Sequence, residues 1–237
     1  MINVLYQDRF QVNDKISVMI PKVGEVLDHE EEYYALLSML TSMPIDMMVQ
    51  LDDLGVDFTT ITDYDLFLIL FNGIKDKDTS LIFGDLDLNR FELAQNTDNG
   101  MMVVLDKEKD IVIDRLVHAK IANVLRHIHG LKKDTRTPGN NAAKKYMIDR
   151  ARVKQKRRAG KEHMSQLEPL IVSMVNTCEF KYDFEGTREL SIYQFNESVR
   201  QVMNKIDYDN RMIGVYSGCI NAKELSQEDL TWLKTNK

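Results

Sequence analysis

Asp85-Leu86-Asp87-Leu88-Asn89 sets three oxygen-bearing side chains on alternate positions, the way a calcium loop opens, because alternate ligands can converge on one ion. The continuation departs from that motif. Arg90 stands where the loop needs Gly, and Asn96 stands where it needs a bidentate Glu, so an acidic turn is expected there and no metal ligand is assigned. Gly214-Val215-Tyr216-Ser217-Gly218 has the residues of a nucleophile elbow in the wrong order, since the elbow centres its Ser between two Gly; a helix ending at Gly218 is expected instead. His118, His127 and His129 lack the three- or four-residue spacing that aligns zinc ligands on a helix, and they read as surface or cap residues. His29 precedes Glu30, Glu31 and Glu32 without a second imidazole nearby in sequence. Neither G-x-G-x-x-G nor G-x-x-x-x-G-K-[ST] occurs, so nucleotide chemistry lacks its usual phosphate cradle. The expectation is a protein without catalytic residues, metal ligands or cofactor.

Charge carries more information than any of these motifs. Ala142 to Lys161 holds nine Lys or Arg against the single Asp149, a tract of +8 in a chain of net charge -6, which leaves the rest at -14. Lys144, Lys145, Arg150, Arg152, Lys154, Lys156, Arg157, Arg158 and Lys161 are its cations. Arg150, Lys154, Arg157, Arg158 and Lys161 share one side at helical spacing, and after Ile148 only Ala151, Val153 and Ala159 interrupt the charges. Such a segment is a solvated helix, an arm that binds a protein partner or another copy of the chain, or a phosphate-binding surface. Sequence-specific readout of nucleic acid would want aromatic or amide side chains among the charges, and only Tyr146 and Gln155 are present, so a protein contact is the favoured expectation.

The elements that would carry this tract follow from apolar periodicity. Hydrophobic residues at 43% and charged residues at 29% argue against wholesale disorder. Phe10, Val12, Ile16, Val18 and Ile20 around Asn13-Asp14 predict a small β-hairpin that Pro21 ends. A helix is predicted from Glu25 to Met43 through Tyr33, Leu36, Leu37 and Leu40, and a second after Pro44 with Met47, Met48, Leu51 and Leu54 inward and Gly55 as its stop. Thr62 with Asp65 in the third position predicts the start of a third helix, whose run Leu66 to Phe71 has no polar face and is expected at the centre of the N-terminal half. Leu81 to Phe83, Phe91 to Leu93 and Met101 to Leu105 read as short strands with a hairpin turn at Asn99-Gly100, and Ile111 to Ile128 as helix.

Lys132 to Asn141 is a polar break with Pro138-Gly139 at its turn. Beyond the basic tract, helices are predicted near Ser165 (Leu167, Leu170, Ile171, Met174, Val175) and from Ser191, where Ile192, Phe195, Val199, Val202, Met203 and Ile206 form one face. A further turn or helix is expected over Tyr208 to Tyr216, and a last short helix capped by Ser226, with Leu230, Trp232 and Leu233 as a candidate partner contact. The resulting fold class is α+β, predominantly helical, with a small N-terminal β-hairpin and a short central antiparallel β element. Three regions are expected: an α+β domain over 1–131, a polar loop and basic helical arm over 132–163, and a helical domain over 164–237. The N-terminal residues lack the basic-then-apolar order of a signal peptide, and no apolar run approaches the roughly 18 residues of a membrane span, so a cytoplasmic location is expected. Cys178 and Cys219 stand apart and are expected as reduced, buried thiols.

Three stretches carry a family resemblance: I-P-K-V-G-E-V-L-D (Ile20 to Asp28), M-P-I-D-M-M-V-Q-L-D-D-L-G-V-D-F (Met43 to Phe58), and S-I-Y-Q-F-N-E-S-V-R-Q-V with D-Y-D-N-R-M-I-G-V-Y-S-G (Ser191 to Gly218). With these the chain resembles virion-morphogenesis proteins of tailed phages and prophages of Gram-positive bacteria, and among them is similar in character to tail assembly chaperones. The resemblance implies a non-enzymatic protein of the host cytoplasm that binds other phage tail proteins, such as tape-measure or tail-tube subunits, and that can form a homo-oligomer. It also leaves two alternatives open: a permanent tail or connector subunit of the virion, and a nucleic-acid-binding regulator that uses the basic arm.

Overall fold

The computed structural model describes residues 2–96, 100–158 and 164–233. Strands β1 (Arg9–Gln11) and β2 (Ser17–Met19) pair antiparallel, with Phe10 opposite Val18, and form the expected hairpin. Asn13 holds its turn by accepting from the Lys15 and Ile16 backbone N–H groups at 3.0 and 2.8 Å.

The helix expected from Glu25 to Met43 is two helices, α1 (Val23–Asp28) and α2 (Glu30–Thr41), which meet at His29, a residue with non-helical backbone. Tyr33, Leu36, Leu37 and Leu40 are buried as their spacing predicts. α3 (Met48–Asp53) is one and a half turns long and ends before Gly55, whose φ is +72°. Leu51 turns inward while Leu54 is exposed, which corrects the expectation that both face the core.

α4 (Asp63–Lys75) opens with the Thr62/Asp65 capping box. Tyr64, Leu66, Phe67, Phe71 and Ile74 are buried, but Ile69 is 45% exposed, so this helix lies against the core on one face and is not enclosed by it. Residues Leu81 to Phe83, expected as a strand, belong to a single helical turn, α5 (Ser80–Phe83). Three apolar residues in a row fit either structure, and Gly84, with φ +61°, ends the turn.

β3 (Glu92–Gln95), β4 (Met102–Asp106) and β5 (Ile111–Ile113) form an antiparallel sheet in that order. Gly100 has φ +68°, as a turn here requires, and Asn99 lies outside the described residues. The helix expected from Ile111 therefore starts later, as α6 (Arg115–His129), with Asp114 accepting from the Val117 N–H at 2.8 Å and left-handed Gly130 at its end.

The basic tract forms α7 (Asn141–Arg158). α8 (Leu167–Val175), α9 (Phe184–Glu189) and α10 (Ile192–Tyr216) complete the helices of the described residues. α10 begins at a Ser191/Gln194 capping box and absorbs Tyr208 to Tyr216 without a break. Ser226 and Asp229 do form a reciprocal cap, Ser226 N–H to Asp229 Oδ2 at 3.0 Å and Asp229 N–H to Ser226 Oγ at 3.3 Å, but it closes a turn and no helix follows among the described residues.

The fold is thus α+β and mostly helical. Its main core gathers Ile16, Val18, Leu36, Leu40, Phe67, Phe71, Phe91 and Ile121 with Leu167, Ile171, Phe180, Ile192, Phe195 and Val202, so side chains from both ends of the chain share one interior. A second cluster, Ile45, Leu51, Phe58, Leu66 and Ile148 with four partly buried Met, lies beneath α7. Burial corrects two further expectations. Cys178 and Cys219 are both exposed, since they fall in turns after α8 and α10. His118 is buried at the centre, where it stacks on Phe67 with ring centroids 4.4 Å apart and is not a surface residue, while His129, half-buried as the last residue of α6, lies within hydrogen-bond distance of the Tyr33 hydroxyl, 2.8 Å away.

Candidate functional site

α7 has a neutralised inner face and a free outer one. On the inner face Lys144 reaches Asp57 at 2.7 Å, and Arg152 spans Asp53 at 2.6 Å and Asp52 at 2.7 Å at the end of α3. Ile148 drops into the second core cluster between them, with Met147 against its edge. The Lys144 hydrogen bond is the first cause, and two bonds from Thr59 the next, that hold the Asp57 carboxyl down at about 2. Asp53 first, then Asp52, raises Arg152 above its ordinary value. The expected basic arm is therefore docked along its first three turns, with apolar contact and ion pairs both contributing.

Lys145, Arg150, Lys154, Lys156 and Arg157 are exposed, and none makes an ion pair or a side-chain hydrogen bond among the described residues. At 100° per residue Arg150, Lys154 and Arg157 form one row, and Lys145 and Lys156, eleven residues apart with Asp149 between them, form another. Tyr146, 63% exposed, and Val153 run along the crest between the rows, opposite Ile148. Arg158 ends the helix, with its side chain outside the described residues, and Lys161 lies outside them altogether.

The second candidate surface lies at the far end of α10. Ile192, Phe195, Val199 and Val202 follow a three-four spacing and pack into the main core. The same register continues through Ile206, Asp209, Ile213 and Tyr216, yet after Val202 no residue of the helix is fully buried; Ile213 is 65% and Tyr216 85% exposed. Asp209 is held by Lys205 at 2.5 Å one turn earlier. The chain then folds back: Ile220 donates its N–H to Gly214 O at 2.9 Å, and a Cβ on Gly214 would sit 2.6 Å from the end of the Ile220 side chain, which would have to shift to admit a larger residue. Arg211 joins Asp229 at 3.3 Å, which brings Leu230, Trp232 and Leu233, all exposed, toward this end of the molecule. Periodicity over Ser191 to Ile206 is legible in the sequence; its continuation to Tyr216 is the missed signal, obscured by Asp209 in mid-register and Gly214 near the end.

The other candidates do not assemble. Asp87 accepts from the Asn89 N–H at 2.9 Å and starts a 3-10 turn, and Arg90 turns away to Asp106 at 3.1 Å. Ser217 caps the end of α10. Among the described residues no three His, Cys, Asp or Glu side chains are placed to hold a metal ion, and no helix is long and apolar enough to cross a membrane. A cleft of about 570 Å³ separates Met43, Pro44, Ile45, Phe58 and Ile61 from the Asp134–Asn141 loop. Its charges are internally paired: Asp134 with Arg136, Asp63 with Lys133 at 3.8 Å, and Lys144 with Asp57.

Two exposed surfaces, the outer side of α7 and the far end of α10 with the returning segment, stand out on a mostly helical scaffold. A family model described as the YomV second domain matches residues 154–237, which takes in the last turn of α7, all of α8 to α10 and the returning C-terminal segment. That family is phage-associated, and the match is consistent with a phage protein. Of the three resembling stretches only Ser191 to Gly218 falls inside it. No curated protein and no solved structure matches the chain.

Proposed function

We propose that this chain is a non-enzymatic phage tail-morphogenesis factor of the host cytoplasm, a tail assembly chaperone that holds tape-measure or tail-tube subunits before they polymerise. The supporting observation is the apolar register of α10, buried as far as Val202 and uncovered at Ile213 and Tyr216, beside exposed Leu230, Trp232 and Leu233. A helical seam that outruns its own core provides apolar surface for a client helix, and the small size of that surface suits a partner that must later be released to a tighter neighbour. The non-enzymatic reading is supported by the way the would-be ligands and nucleophile are used up in turns and caps.

Co-expression with the tail proteins of the same phage tests this reading. A tail subunit should copurify with the chain, and the triple variant Ile213→Ser/Tyr216→Ser/Trp232→Ser should lose it. Mass spectrometry of purified particles then separates a chaperone from a permanent tail or connector subunit, because stoichiometric presence in the virion would replace the chaperone reading.

A further inference from the structure

We propose that the outer face of α7 binds the phosphate backbone of duplex DNA without reading its sequence. This goes beyond the proposed chaperone role and uses a different surface. Lys144 and Arg152 are spent on Asp57, Asp52 and Asp53, and those ion pairs with Ile148 fix which side of the helix faces out. The five remaining described cations, from Lys145 to Arg157, occupy about 18 Å of helix at 1.5 Å per residue.

Their arrangement favours a duplex over an acidic protein. A protein interface takes most of its stability from desolvated apolar and aromatic anchors and is depleted in Lys. This face has only Tyr146 and Val153 to offer, and exposed ion pairs contribute about 0–1 kcal/mol each. Phosphate binding needs no apolar anchor, because it is driven by release of counterions from a polyanion that carries one charge per roughly 1.7 Å of axis. Shape agrees with charge. A helix fits the major groove, about 12 Å wide, and here the crest of Tyr146 and Val153 is flanked by Arg150, Lys154 and Arg157 on one side and by Lys145 and Lys156, with Asp149 between them, on the other, so the arginine-bearing row is the stronger phosphate contact. Single-stranded nucleic acid would call for a series of stacking aromatics, and Tyr146 stands alone. Asp149 is the one carboxylate on the helix, and the net charge of -6 repels DNA elsewhere, so contact is confined to this face and steeply dependent on salt.

Fluorescence anisotropy of a labelled mixed-sequence duplex with the full chain tests the proposal. With the five described cations each neutralising one phosphate, affinity should fall by two to three powers of ten between about 50 and 200 mM salt. Arg150→Glu/Lys154→Glu/Arg157→Glu should bind about 100-fold more weakly at about 50 mM salt and flatten the logarithmic salt slope by about 3. Lys145→Ala/Lys156→Ala, a milder change on the other row, should flatten it by about 2 and serves as the decisive variant if the triple change misfolds by circular dichroism. Trp232→Ser/Ile213→Ser should bind DNA as the wild type does, which separates failure of this inference from failure of the chaperone reading. No wild-type binding at roughly 10⁻⁴ M protein in low salt would overturn the proposal, as would unchanged binding by the charge variants. Tighter binding to polyglutamate than to duplex at the same salt would assign the face to an acidic protein instead.

Discussion

The two halves of α10 share one helix and one apolar register, but they have opposite surroundings. Ile192 and Phe195 are fully buried against the main core, whereas Ile213 and Tyr216, further along the same seam, are open to solvent. Periodicity therefore identifies the face of a helix that can be covered, and the tertiary fold decides how much of it this chain covers itself. The remainder is available to another molecule.

The sharpest way to break that comparison is to truncate the same seam at both ends. Phe195→Ala should destabilise the protein by about 3–5 kcal/mol in a denaturant titration, because it empties a site enclosed by both ends of the chain. Ile213→Ala should cost less than about 0.5 kcal/mol. A large loss at Ile213 would mean that the far end of α10 is already covered. Phe67→Ala on α4 belongs with Phe195, at about 3–5 kcal/mol, since Phe67 packs on both Phe71 and His118; partly buried Leu70 should cost less.

Acid should sharpen the same contrast between interior and surface. Burial first, then the nearby Arg126 and Lys133 charges, lowers His118 to about 4 even though its bond to the Leu40 backbone works the other way, and burial lowers His129 to about 4. Both imidazoles are neutral in the folded chain above that pH, while in the unfolded chain they take up protons from about pH 6.5 downward. Stability is therefore full above about pH 6.5, falls as the pH drops toward 4, and is not lowered further by these two groups below that. Each contributes about 3 kcal/mol at most to the fall. Thermal midpoints measured across this window should decline, and His129→Gln should remove about half of the decline. A midpoint that is flat from pH 7 to 4 would place both rings in contact with water.

Much of this interior was legible in the sequence because local signals and tertiary demands agree there. The Thr62/Asp65 box, the apolar face that starts after Ser191 and the spacing of Tyr33, Leu36, Leu37 and Leu40 each mark an element that the core then uses. Leu81 to Phe83 and Ile111 to Ile113 were misread because three or four apolar residues fit a strand or a helical turn equally well, and only pairing with β4 distinguishes them. His118 was misplaced by residue type, although it shares its helix face with Ile121 and Leu125 at three- and seven-residue spacing. The nine cations of the basic tract were plain in the sequence, but the division of those on α7 was not. Which of them are consumed by Asp52, Asp53 and Asp57 depends on where α3 and its following turn come to rest.

That division sets the smallest expected effect. The outer cations Arg150, Lys154 and Arg157 are exposed and make no ion pair or side-chain hydrogen bond among the described residues, so reversing all three to Glu should move the thermal midpoint by less than about 2 °C, as surface substitutions do in a chain of this length. On the inner face, Ile148→Ala should lower the midpoint further than that, since Ile148 is the apolar contact that seats the helix on the second cluster. Adding salt to the wild type should weaken the Lys144 and Arg152 pairs while leaving the Ile148 contact intact, so α7 should remain docked at high ionic strength. Hydrogen exchange over residues 141–152 at low and high salt measures this directly. Protection that disappears with salt would mean that the charges alone hold the helix, and its outer face would then lose the fixed orientation that a groove-binding surface needs.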